Sequence, residues 1–167
     1  MYQFFIQPDN ITEDDILITD AQDVNHIKNV LRMKKGEKLA LCCEETGREY
    51  LCAVAEFEEN GIRAAIEDIN GQSRELPVKI TLFQGLPKGD KMELIIQKAV
   101  ELGAAEIVPV ATKRAVVKLD AKKAAKKVQR WNEIAKSAAK QSKRTMIPEV
   151  KPVLSWRGAV EYGKSLD

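Results

Sequence analysis

Up to residue 70 apolar and polar positions largely alternate with a period of two, in the runs YQFFI, DILI, EKLALCC, EYLCAVAEF and GIRAAIEDI. Alternation of this kind marks half-buried strands, and the turn material between the runs, above all Asn60-Gly61, predicts hairpin connections. A small β-barrel or sandwich follows. One segment departs from the pattern. Val24, Ile27, Val30 and Leu31 recur at helical spacing behind Thr19 and Asp20, either of which can cap a helix, and the run ends toward Gly36. The helix so predicted places His26, Lys28, Arg32, Lys34 and Lys35 at or near one exposed end.

From residue 78 the period changes. VKITLFQGL predicts a strand. Asp90 then stands as an N-cap with Glu93 at the third helical position, a variant capping box opening a helix that runs through Leu102 and stops at Gly103. Met92, Ile95, Ile96, Ala99 and Leu102 recur on one face and are expected to meet a core. AEIVPV returns as an apolar strand, so strand, helix and strand predict a βαβ unit whose parallel sheet is buried on both faces. Ligands of such sheets sit beyond the carboxyl ends of the strands, where GLPKGDK lies. Lys88 and Lys91, beside a helix N-terminus, suit a phosphate there. Neither GxxxxGK[ST] nor GxGxxG is present, so a solvated turn stays open as an alternative. Beyond it, Ala121, Ala124, Val128, Trp131, Ile134 or Ala135, and Ala138 mark one face of a long helix, with Lys122, Lys126, Arg130, Lys136 and Lys140 largely elsewhere. Trp131 falls on the apolar stripe and is expected in the core.

Charge sharpens this division. Residues 1–77 hold 8 Lys or Arg against 16 Asp or Glu, a balance of −8, and residues 78–167 hold 19 against 9, a balance of +10. The changeover falls in the turn-rich NGQSRELP, which sets a domain boundary there. Between Lys113 and Arg144 there are 12 basic residues against Asp120 and Glu133. A helix so charged repels itself unless a polyanion lies against it, and nucleic acid is the obvious one; a lysine-solubilised surface helix is the bland alternative. Cys42, Cys43 and Cys52 show no CxxC spacing and predict reduced thiols buried in strands. His26 is the only histidine, so no metal motif is expected, and a structural hydrogen bond competes with any catalytic role for it. With no long apolar stretch and no basic leader at MYQFFIQPDN, a cytoplasmic protein without membrane contact is expected.

The segments HIKNVLRMKKGEKLAL, LPKGDKMELIIQKAVELGAAEIVPV, TKRAVVK, RWNEIAKSAAKQSKR and IPEV, in this order, resemble the bacterial methyltransferases that modify N3 of a uridine in small-subunit ribosomal RNA, within the trefoil-knotted (SPOUT) class. The resemblance implies a two-domain α+β protein. Residues 1–72 would be a PUA-like RNA-binding β-barrel, and 77–167 the first part of an α/β parallel-sheet methyltransferase domain using S-adenosylmethionine in a homodimer. It implies that His26 and Arg32 belong to the barrel's RNA-facing edge, and that Lys88, Lys91, Arg114, Gln141 and Arg144 line the RNA side of the second domain. Glu101 would be mainly structural. Transfer to a uracil nitrogen requires no covalent protein nucleophile, only in-line positioning and a group that counters charge on the ring as its imide proton leaves. Arg114 and Arg144 are the catalytic candidates.

The family pattern continues through a GPEGG-type loop and an LG-x-x-ILR segment that hold the methyl donor, and neither follows GKSLD here. After Gly103 the only glycines are Gly158 and Gly163, so no residue is assigned to the donor, and an inactive fragment is expected that exposes a sheet edge and apolar surface. A non-catalytic RNA-binding module is the second reading. A protein that uses the basic helix for a protein or membrane partner is the third, with the weak apolar face of that helix speaking against membranes.

Overall fold

A computed structural model describes residues 1–70, 75–113 and 120–166. The chain forms two compact units: Met1–Arg74 together with Lys143–Met146, and Glu75–Ser142 together with Ile147–Asp167.

The first unit is a curled five-stranded mixed sheet in the order β1-β3-β4-β5-β2, with β1 Tyr2–Ile6, β2 Asp15–Ile18, β3 Lys38–Cys43, β4 Arg48–Glu58 and β5 Gly61–Asn70. β1 and β3 run parallel while the other neighbours are antiparallel. A parallel pair needs a crossover, and β2 with the following helix supplies it. Phe4, Ile16, Ile18, Ile27, Leu39, Leu41 and Ile62 fill the interior. Cys42, Cys43 and Cys52 are buried free thiols on β3 and β4, as expected.

The β4–β5 hairpin corrects one sequence expectation. Glu58 pairs with Gly61, so the turn is Glu59-Asn60 and Gly61 is already in the strand. Its glycine answers to a close approach instead of turn geometry: a Cβ there would sit 2.5 Å from the carbonyl oxygen of Ile18 on β2.

The helix is a second correction. Asp20 caps α1, Ala21–Asn25, its Oδ1 accepting from the amides of Gln22 at 3.0 Å and Asp23 at 2.9 Å. The chain then widens into a π turn, His26–Val30, closed by the Leu31 amide donating to the His26 carbonyl at 2.8 Å. A wider turn rotates later residues away from the 3.6 period, so Ile27 is buried while Val30, expected in the core, is 65% exposed.

In the second unit β6, Thr81–Gly85, runs parallel to β7, Glu106–Ala111, across α2, Lys91–Glu101. Two short strands, β8 Glu149–Val150 and β9 Leu154–Ser155, also pair with β7 in parallel. α3, Ala121–Gln141, packs on α2 and β8, and α4, Trp156–Lys164, packs on β7 and β9. Asp120 caps α3 by accepting from the Lys123 amide at 2.8 Å. α2 ends where expected, with Gly103 in the left-handed region at φ 96°.

Three expectations fail in this unit. The Asp90 side chain makes no capping bond; the Glu93 amide donates to the Asp90 carbonyl at 3.1 Å instead, and the Glu93 carboxylate is held by Arg130. Leu102 falls at the helix end and is 78% exposed. β7 is buried but β6 is only half-buried, with Phe83 exposed, so the sheet is not covered on both faces throughout. Buried Glu106, at the amino end of β7, is held by Tyr162, whose hydroxyl donates to both carboxylate oxygens at 2.9 Å, and by Lys151 at 3.4 Å. Asn132 of α3 bonds the backbone of Val150 on β8. Among the described residues no helix is long and apolar enough to cross a membrane.

Candidate nucleic-acid interface

Each unit presents cations, and the fold divides them into engaged and unengaged groups. In the first unit, the Lys28 ammonium donates to the Glu58 carbonyl at 3.1 Å and stands 5.9 Å from the Phe57 ring centroid. Lys35 pairs with Glu56 at 3.2 Å and Lys38 with Glu67 at 2.8 Å. Arg32 and Lys34 remain exposed without an ion-pair partner among the described residues. Arg32 also holds φ 52°, a region that a long side chain seldom enters, as the chain leaves the π turn. His26 is exposed, its ring edge-on to Phe4 with centroids 6.0 Å apart. Arg144 is buried, its carbonyl accepting from the Gln3 carboxamide at 2.6 Å, and with Lys143–Met146 it belongs to this first unit.

In the second unit Arg130 grips Glu93 with two bonds, Nε to Oε1 at 2.7 Å and Nη2 to Oε2 at 2.9 Å. This two-pronged carboxylate contact holds the guanidinium even more firmly charged than usual. Lys98 pairs with Glu101 at 2.7 Å and Lys123 with Asp120 at 3.4 Å. Glu101, also bonded by Gln97 at 2.9 Å, has its carboxyl pulled below the ordinary range by the Lys98 and Gln97 hydrogen bonds. Lys88, Lys91, Lys122 and Lys126 are exposed with no ion-pair partner among the described residues. Gln141 is exposed at the last position of α3. Arg114 lies outside the described residues.

His26 and Arg32 thus lie in the first unit, at the start of the π turn and just after it, and Lys88 and Lys91 lie in the second, around the start of α2. A cavity of about 160 Å³ lies beside the latter pair, lined by Leu86, Pro87, Gly89, Asp90, Met92, Lys127 and Trp131. Lys127 stands 5.9 Å from the centroid of the Trp131 ring, and Trp131 is buried as its place on the stripe predicts. Sequence reasoning passed over Lys127 because, among so many lysines, nothing in the spacing marks the one that lines a cavity. Burial, with the charges of Glu67 and Asp15 behind it, pushes the Cys52 thiol up to about 12, so it is no nucleophile. The exposed cations of both units are groups of the kind that can bind and orient a polyanion.

Two family models match in tandem: residues 18–70 match the RNA methyltransferase PUA domain and residues 74–165 the RNA methyltransferase domain. They define a class in which a PUA-like domain precedes an α/β domain of the methyltransferase kind. The chain is 39% identical to Ribosomal RNA small subunit methyltransferase E of Bacillus subtilis, over 100% of this chain and 66% of the relative. A crystal structure of a hypothetical protein superposes with TM-score 0.93 at 39% identity, covering 99% of this chain and 68% of the other. The Ribosomal RNA small subunit methyltransferase E of Neisseria gonorrhoeae, bound to S-adenosyl methionine, superposes with TM-score 0.82 at 34% identity over 96% of this chain and 65% of that one. The chain belongs to the ribosomal RNA small subunit methyltransferase E family, and it spans about two thirds of the length of these relatives.

Proposed function

We propose that the chain supplies RNA-docking surfaces of an enzyme that transfers a methyl group from S-adenosylmethionine to N3 of a uridine in small-subunit ribosomal RNA. The observation that carries this reading is the sorting of cations. Lys28, Lys35, Lys38, Lys98, Lys123 and Arg130 are engaged by groups of their own chain, while Arg32, Lys34, Lys88, Lys91, Lys122 and Lys126 are exposed with no ion-pair partner among the described residues. Unengaged cations on a folded surface are what phosphate contacts require. In this reading His26 and Arg32 meet RNA from the first unit, and Lys88, Lys91 and Gln141 from the second. Arg114 is the guanidinium that counters charge on uracil as its imide proton leaves. Arg144, which is buried, has in this reading a positioning part in place of direct contact with the ring. The working protein is a homodimer, and its partner is ribosomal RNA or the small subunit.

The methyl donor needs a backbone that approaches it closely, which glycine permits. After Gly103, Gly158 lies within α4 and Gly163 stands where a Cβ would be 3.6 Å from the Phe83 ring. The described residues therefore do not fit the donor, and no step of the transfer is assigned to them. We expect the 167-residue chain to be inactive by itself, with donor affinity weaker than micromolar by calorimetry; micromolar or tighter binding would overturn this. The second reading is a non-catalytic RNA-binding module. RNA affinity across a salt series tests the docking role common to both. Methyl transfer by a chain extended to the full length of its relatives separates them.

A further inference from the structure

We infer that the cavity between the Leu86–Asp90 loop and α3 is a subsite for one unpaired pyrimidine base of the RNA, with Lys127 as its polar contact. The inference rests on the RNA-docking reading and names what one part of that surface holds.

Three observations carry it. Size comes first: the cavity measures about 160 Å³, and an apolar cavity of roughly 150 Å³ accepts a single six-membered aromatic ring, so one pyrimidine fits where a purine is crowded. The lining is the second. Leu86, Pro87, Met92 and Trp131 form apolar walls, with Leu86, Met92 and Trp131 buried. Walls of this kind suit the faces of a base and disfavour a phosphate, which would leave water for a site that also contains the Asp90 carboxylate. The polar groups are the third. The Lys127 ammonium donates, and Asp90, whose side chain makes no capping bond, accepts. A pyrimidine edge offers an acceptor beside an N–H and can meet both. Gly89, at φ 69° with nothing within 4 Å of a Cβ position, leaves the mouth open to the ribose. The cavity lies beyond the carboxyl end of β6, where α/β sheets place their ligands, and exposed Lys88 and Lys91 flank it to take the phosphates on either side.

Trp131 reports directly on occupancy. The other tryptophan, Trp156, is 65% exposed, so Trp156→Phe leaves a protein whose emission comes from the cavity wall. Titration of that variant with uridine and cytidine monophosphates should give a saturable emission change. Adenosine and guanosine monophosphates, ribose 5-phosphate and inorganic phosphate should give none at the same concentrations. Adding Lys127→Ala should weaken pyrimidine binding about tenfold with an unchanged melting curve, and Lys127→Arg should restore it in part. An equal response to ribose 5-phosphate or phosphate would overturn the inference in favour of an anion site. No response to any nucleotide, while the chain still binds RNA at low salt, would overturn the inference alone. Loss of RNA binding as well would remove the docking reading beneath it.

Discussion

The carboxamide of Asn132 holds both backbone polar groups of Val150, its Nδ2 donating to the carbonyl at 3.0 Å and its Oδ1 accepting from the amide at 2.9 Å. Val150 is buried on β8, so water cannot replace either bond. The same Nδ2 also donates to the Val128 carbonyl at 3.0 Å. One side chain thus ties α3 to the edge of the parallel sheet.

Asn132→Leu should therefore leave two buried backbone groups unpaired and cost about 2–4 kcal/mol. Asn132→Asp keeps the acceptor for the Val150 amide, but its ionised form has no proton for the Val150 carbonyl, so it should cost less at a pH where the carboxyl is protonated. Urea denaturation of the two variants beside the parent chain measures both effects.

Gly61→Ala tests the second tight point. A Cβ 2.5 Å from the Ile18 carbonyl oxygen must push β2 away from β5, and overpacking of this kind costs about 1–3 kcal/mol. Thermal denaturation should show the loss. Amide exchange should show it falling most heavily on Asp15–Ile18, the strand that pairs with β5.

For RNA binding, the division of cations makes a residue-by-residue prediction. Lys122→Gln and Lys126→Gln should each reduce the steepness of log affinity against log salt by about 0.7, the share of one contact to a single-stranded phosphate. Arg130→Gln should leave it close to the parent value, since that guanidinium is engaged by Glu93. Fluorescence anisotropy with a labelled single strand across a salt series distinguishes them. Equal slopes for all three would mean that the engaged and unengaged cations serve RNA alike.

Cys52 sets an alkaline limit. Its folded thiol keeps its proton to about 12 against an ordinary 9.0, so in the unfolded chain the proton is lost first. The stability this group contributes is complete below pH 9 and is lost as the pH climbs toward 12. Cys52→Ala should show a shallower decline of stability over that window, measured by denaturant unfolding at a series of alkaline pH values. The native thiol should also resist alkylation at pH 8, where the unfolded one reacts.

Much of this fold was legible because most of its elements follow one period over their whole length. β2 and much of β4 alternate, β3 is a continuous apolar run, and β6, α2 and β7 change period cleanly. Errors came where two demands met on one residue. A 3.6 period puts Val30 in the core, and the π turn breaks that period. Glu93 was assigned to a local cap, and a guanidinium 37 positions away claimed it. Gly61 was assigned to a turn, and its need arises from Ile18, remote in sequence. The candidate site was less legible than the fold. Composition identified a basic half, but which lysines are spent on internal carboxylates, and that Lys127 lines a cavity, depend on contacts between elements that no local spacing encodes. Asn132 carried no signal at all, since an asparagine within a helix shows nothing of a strand 18 residues further on.

The first unit is discontinuous, because Lys143–Met146 belongs to it. Gln3 meets the carbonyl of Arg144 across 141 positions, so a nascent chain made at roughly 5–20 residues per second waits about 7–30 seconds for that bond after its start has emerged. Until then the Gln3 carboxamide has water in place of its folded acceptor. Completion of the unit is thereby made contingent on the whole of α3 having been synthesised, which turns a short tetrapeptide into the last stitch of the earliest-made body.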